Sequence, residues 1–133
     1  MAVRMTLEAK AAYAIERRAA ASAADTVTTW RHLERAHIVA QPFAVAHVGS
    51  HVAMLRQAVR DRDVVEVGGQ IVRVLVAGPP SLLGRYPIGN TGRARVPLRA
   101  RLPVPPDLEV LGPVTADQSV PRSQNPDGER SGW

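Results

Sequence analysis

Cysteine is absent from the 133 residues, which excludes disulfides, thiolate nucleophiles and every metal site built on cysteine sulfur. Any metal must therefore be held by His, Asp, Glu, Gln or backbone oxygen. Aromatic residues make up only 4% of the chain against 45% hydrophobic, so a core must be assembled from Ala, Val, Leu and Ile. Such small side chains favour closely packed helices. No stretch approaches the ~18 uninterrupted apolar residues of a membrane span. The opening MAVRMTLEAKAAY also lacks the apolar centre of a secretory signal. These absences predict a cytoplasmic protein with no membrane partner.

Lysine is nearly missing as well. Sixteen arginines and Lys10 face twelve acids, for a formal charge of +5. The distribution is uneven: between Pro79 and Pro106 there are five arginines (Arg85, Arg93, Arg95, Arg99, Arg101) and no acid. That segment is the one suited to a polyanion. It has neither an aromatic platform nor a reading motif, so nucleic acid is not favoured as its partner.

Helical periodicity dominates the first half. TLEAKAAYAIERRAAASA (6–23) places Leu7, Ala11, Ala14 and Ile15 at helical spacing. Asp25 is placed to cap a second helix through TVTTWRHLERAHIVAQ, and Pro42 to open a third over about 42–59. Asp63 caps a fourth segment, VVEVGGQIVRVLVAG, whose β-branched residues and Gly68-Gly69 pair equally suit a two-residue hairpin. The Asp and Pro markers recur after about 37 residues, near the ~34-residue period of tetratricopeptide repeats. This favours helix for the fourth segment. The expected fold is all-α: two tetratricopeptide-like antiparallel hairpins over 1–78, an extended Pro/Gly/Arg-rich arm over 79–112, and a disordered tail over 113–133.

All four histidines, His32, His37, His47 and His51, fall within twenty residues. At about 100° per residue, Trp30, Leu33, His37 and Ala40 share one arc of the second helix, with Glu34 on its flank and His32 pointing away. His47 and His51 stand at i and i+4 on the third helix, in line with Met54 and Ala58. The short link between these helices lets His37 approach His47. A metal site of His37, His47 and His51, with Glu34 as a fourth ligand, follows from the i,i+4 pair and the Glu34-x-x-His37 spacing. The second Glu-x-x-His of a dinuclear bundle site is missing, so a single ion is expected. Zn, Ni, Co, Cu or Fe would suit this donor set. Glu66, Gln70 and Arg73 share a face of the fourth segment that reads as solvated, with Glu66 and Gln70 kept as secondary site candidates beside His32 and Met54.

IGNTG (88–92) reads as a tight turn with Gly92 at positive φ. Its competing reading is an anion loop of Arg85, Asn90, Thr91, Gly92 and Arg93, although no lysine follows as in a P-loop. WRHLERAHIVAQ (30–41), the H-x-x-x-H-x-x-M of His47, His51 and Met54, Gly69-Gln70, LLGRYPIGNTGRARV (82–96) and PVPPDL (103–108) together resemble a family of small bacterial proteins known as domain of unknown function 3703. The resemblance covers about residues 7–108. It implies that the four histidines and the GNTG loop belong to one recurring design, and that His32 would meet GNTG if the arm folds back across the second helix.

Three functions are therefore expected in order. A His-rich metal-binding protein leads, with any catalysis left open. A tetratricopeptide-like module that binds a protein partner or pairs as a homodimer comes second. Anionic-ligand binding by GNTG and the arginine arm is third.

Overall fold

Four helices carry the fold in the computed structural model, which describes residues 4–111. They are α1 (Leu7–Ser22), α2 (Thr26–Ala40), α3 (Ala44–Asp61) and α4 (Val64–Val76), followed by the short α5 (Gly78–Leu82) and α6 (Pro106–Glu109). The architecture is all-α, with no strand among the described residues. The tail expected from residue 113 lies outside them.

Three side-chain caps start helices where the sequence places them. Thr6 accepts from the Ala9 N–H, Asp25 from Thr28 and Asp63 from Glu66, each satisfying a first-turn donor that has no helical partner. The third helix differs from expectation. Pro42 precedes it, and Phe43, extended and without a capping side chain, leads into Ala44. The reason is packing, because Phe43 is buried against Ala9, Val39 and Leu108. Segment 64–76 is helix, resolving the helix-or-hairpin alternative.

Consecutive helices run antiparallel, as their pairings require. Along α1 and α2, Ala9 lies beside Val39, Glu16 bonds His32 and Arg35, and Ala20 packs with Trp30 and Leu33. The buried stripe of α1 is thus Ala9, Glu16 and Ala20, whereas the expected Leu7 and Ile15 are exposed. Glu16 decides this rotation: its carboxylate takes bonds of 2.7 Å from both His32 and Arg35, which offsets the cost of burying it.

Two apolar clusters form. One joins Ala20, Trp30, Leu33, Ala53, Met54 and Ala58, with Val67 packed against it. The other joins Ala9, Val39, Phe43 and Leu108. His37, His47 and His51 lie between these clusters along the sequence of α2 and α3 and are themselves buried.

Residues 83–105 drape across α2 and α4 and return to the bundle through α6. There Leu108 is buried and Asp107 pairs with Arg35, which also holds Glu16. The arm covers the face of α4 expected to be solvated: Glu66, Gln70 and Arg73 are all buried. Ala94 N–H donates to Glu66 at 2.8 Å, Gly92 O accepts from Gln70 at 2.8 Å and Val96 O accepts from Arg73 at 2.7 Å. Most apolar side chains of α4, among them Val64, Val65 and Leu75, are exposed instead, while Val67 packs against the Trp30 cluster.

The two adjacent glycines of α4 test this account because they differ in surroundings. A Cβ on Gly69 would stand 2.2 Å from Ala94 Cβ, whereas one on Gly68 would meet nothing within 4 Å. Gly68→Ala should stabilise the protein by about 0.5–1 kcal/mol through helix propensity. Gly69→Ala should lose that gain and destabilise by about 1–3 kcal/mol, as overpacking does. Urea unfolding of both variants checks the opposite signs; equal effects would mean that the arm does not sit on α4.

Candidate metal centre

Three imidazoles meet at their Nε2 atoms. His37 Nε2 lies 3.0 Å from His47 Nε2 and 3.1 Å from His51 Nε2, and the last two are 3.2 Å apart. The i,i+4 spacing on α3 supplies one pair. The sharp reversal at 41–43 brings the last turn of α2 opposite them.

The partners of the other ring nitrogens fix the protons. His37 Nδ1 is 2.9 Å from the Asn90 carbonyl oxygen, which can only accept. His51 Nδ1 is 2.8 Å from Gln70 Oε1, and that amide is oriented because its Nε2 donates to Glu66 Oε1 and Gly92 O. His47 Nδ1 is 2.6 Å from Ser81 Oγ, whose own hydrogen goes to Gln41 O. Each neutral ring therefore carries its proton on Nδ1, and three bare Nε2 lone pairs face one another.

Protonation is a poor escape from that repulsion. Burial, with the neighbouring imidazoles adding to it, holds His37 well below the usual histidine range. Burial first, and then His51, lowers His47 to about 3. Burial first and the Arg73 charge last lower His51 to about 4, against the opposing bond from Gln70. The centre thus resists a proton while presenting three donors to one point. A point equidistant from the three nitrogens in their plane is about 1.8 Å from each, close to the bond length of about 2.0–2.1 Å at which imidazole nitrogen would hold an ion.

The arm shapes this centre at close range. Gly92 has φ +82°, and a Cβ there would come within 2.9 Å of the His37 ring, so glycine suits both the turn and the contact. The Asn90 side chain stitches the loop, donating to Pro97 O and Ala100 O and accepting from the Gly92 N–H. IGNTG is therefore a turn whose backbone and Asn90 side-chain bonds run within the arm and to His37 and Gln70, not a cradle of converging N–H groups. Its expected members scatter: Arg85 lines a neighbouring cavity, Thr91 is half-buried, and Arg93 turns to α2 and α4.

Glu34 does not join the imidazoles. Its carboxylate pairs with Arg93 at 3.3 Å, on the side where the Arg93 guanidinium stacks 3.7 Å over the Trp30 ring. Burial raises its pKa, with Arg93 pulling the other way. Glu66 also lies 3.1 Å from Arg93 Nε, an ion pair without a directed hydrogen bond, since that N–H finds no aligned acceptor. His32 pairs with Glu16 instead of meeting GNTG, because its outward direction on α2 faces α1. Met54 is a core residue of the Trp30 cluster. Gln70 bonds His51 directly, and Glu66 supports Gln70.

Ser81 and the Asn90 carbonyl oxygen, which bond His47 and His37 directly, carry no local signal in the sequence, because they come from α5 and the arm, which reach the centre only through tertiary packing.

All three histidines border an open cavity of about 790 Å³ lined by residues from α2, α3, α4, α5 and the arm. Fold and site together define an all-α protein with a buried three-histidine centre opening on a pocket. The chain belongs to the family described as Protein of unknown function (DUF3703), whose model matches residues 6–111. No curated protein and no solved structure matches it.

The proton balance gives a signed pH prediction for metal-free protein. Unfolded imidazoles take up protons near pH 6.5 while the folded ones refuse them until about 4 or below. Stability should therefore fall as pH drops from 6.5 toward 4.5, by up to about 1.4 kcal/mol per pH unit for each imidazole. Asp25, Asp63 and Asp107, all lowered, lose their contributions only below the ordinary Asp range, and the raised Glu34 acts in the opposite direction. Urea midpoints across this interval should slope in the wild type and slope less steeply in a His47→Gln/His51→Gln variant, where His37 alone keeps its contribution. A flat wild-type profile would contradict the buried neutral triad.

Proposed function

We propose that this protein binds one divalent transition-metal ion through Nε2 of His37, His47 and His51, leaving a coordination position open toward the cavity. The observation that carries the reading is the convergence of three Nε2 atoms within 3.0–3.2 Å while every Nδ1 is engaged on the far side. Outer hydrogen bonds of this kind fix the tautomer of a metal-ligating histidine and raise its basicity. Without a cation, three facing lone pairs in a buried site are costly; with one, the same arrangement is a set of three donors.

The donor set is neutral and nitrogen-only, which suits Zn, Ni, Co, Cu or Fe. An ion held by three protein ligands with an open position supplies Lewis acidity. The chain's own contribution is to hold it, orient the rings through Asn90, Ser81 and Gln70, and shape the adjoining space.

Elemental analysis of untagged protein purified without chelator tests the reading. Near-stoichiometric metal is expected, with loss in a folded His37→Ala/His51→Ala variant. Gln70→Leu should weaken metal affinity by about 10–100-fold, the usual effect of removing a partner of a ligating histidine. Absence of metal after purification, together with failure to take up added Zn, Ni, Co, Cu or Fe, would overturn it.

A further inference from the structure

The cavity beside the three histidines has a charge problem of its own. Among the described residues, four arginines border it, Arg73, Arg85, Arg99 and Arg101, and no acidic residue does. Arg73 is the informative one. It is 7% exposed and donates to two backbone oxygens, Gly69 O at 3.4 Å and Val96 O at 2.7 Å. Among the described residues, no carboxylate lies within ion-pair reach of it; the nearby Glu66 is taken by Arg93 and Arg95. A buried guanidinium without an anion is expensive. The remaining arginines of the arm contrast with these four, since Arg93 and Arg95 both have acidic partners within the fold.

A metal ion on three neutral imidazoles would add two positive charges with no compensating ligand. None of the described residues supplies that counter-charge, and a bound anion would. The cavity has room for it, since about 790 Å³ falls within the roughly 300–1,000 Å³ typical of small-molecule sites. Its walls include Val76, Leu83, Leu98 and the rings of Pro79 and Pro80, which suit an apolar body.

The kind of anion follows from the donors. A phosphate is commonly held by several backbone N–H groups. Here Pro79 and Pro80 in α5 have none, the Gly92 N–H goes to Asn90 Oδ1, and the Asn90 N–H goes to Pro87 O. What remains is guanidinium, whose planar fork pairs with carboxylate and phosphate alike, so the lack of converging backbone N–H groups is what favours a carboxylate. We propose that the cavity binds a small organic carboxylate, with its charged head between Arg73 and the open position of the metal and its apolar body against Val76, Leu83 and Leu98.

This proposal rests on the metal reading, and cobalt(II) separates the two because its visible absorption reports both occupancy and ligand number. Cobalt-loaded protein should change its spectrum on titration with benzoate and respond at least about tenfold more weakly to benzamide, which has the same shape without the charge. Arg73→Met should weaken benzoate binding by about tenfold or more at unchanged cobalt stoichiometry. Because Arg73 also holds Val96, an Arg85→Met/Arg99→Met/Arg101→Met variant, altered only at exposed positions, should weaken it as well. Full cobalt loading without response to benzoate would overturn the proposal alone. So would equal response to benzamide, or tighter binding of phenyl phosphate than of benzoate. Failure to load cobalt would overturn the metal reading and this proposal with it.

Discussion

The Asn90 carbonyl oxygen, 2.9 Å from His37 Nδ1, ties the irregular half of the chain to the helical half and orients the central ring. Because that oxygen can only accept, it places the His37 proton on the outward nitrogen and leaves Nε2 bare. Ser81 and Gln70 do the same for His47 and His51. The centre therefore depends on the arm for its electronic state as well as for its cover. Four helices alone would bring the rings together and set the inward nitrogen only for His51, through Gln70 of α4.

This dependence explains why so many buried polar groups sit on α4. Glu66, Gln70 and Arg73 would be expensive to bury against an apolar neighbour. Against the arm, they meet backbone groups that lack partners in a segment without regular structure: Ala94 N–H, Gly92 O and Val96 O. Each side satisfies the other. Glu66 in addition balances Arg93 and Arg95, and Arg93 in turn holds Glu34 and covers Trp30. A chain of paired charges thus runs from α2 through the arm to α4 on one side of the imidazoles. On the cavity side, Arg73 has no acid in ion-pair reach among the described residues. The difference between the two sides gives the pocket its charge.

Local signals made the helical fold and the three histidines legible in the sequence. Asp25 and Asp63 mark helix starts through capping chemistry that acts over three residues. The i,i+4 spacing of His47 and His51 fixes their common direction whatever surrounds them. Long-range contacts account for what was not legible. Glu34 has the spacing of a ligand beside His37, but Arg93, 59 residues away, takes its carboxylate. The buried face of α1 turns on Glu16, a residue whose charge suggests exposure until His32 and Arg35 of α2 are placed against it. Glu66, Gln70 and Arg73 of α4 read as a solvated face, yet the helix buries them, because a polar arm packs there and supplies their hydrogen-bond partners. Ser81 gives no signal of its role within PPSLL.

X-ray absorption at the metal edge of the loaded protein tests the central claim most directly, since it reads the donors without requiring knowledge of any ligand. The account predicts one ion, multiple scattering from three imidazoles with nitrogen at about 2.0–2.1 Å, and at least one further light donor in the open position. Fewer than three imidazoles, a carboxylate donor from Glu34, or a second metal within scattering range would contradict it.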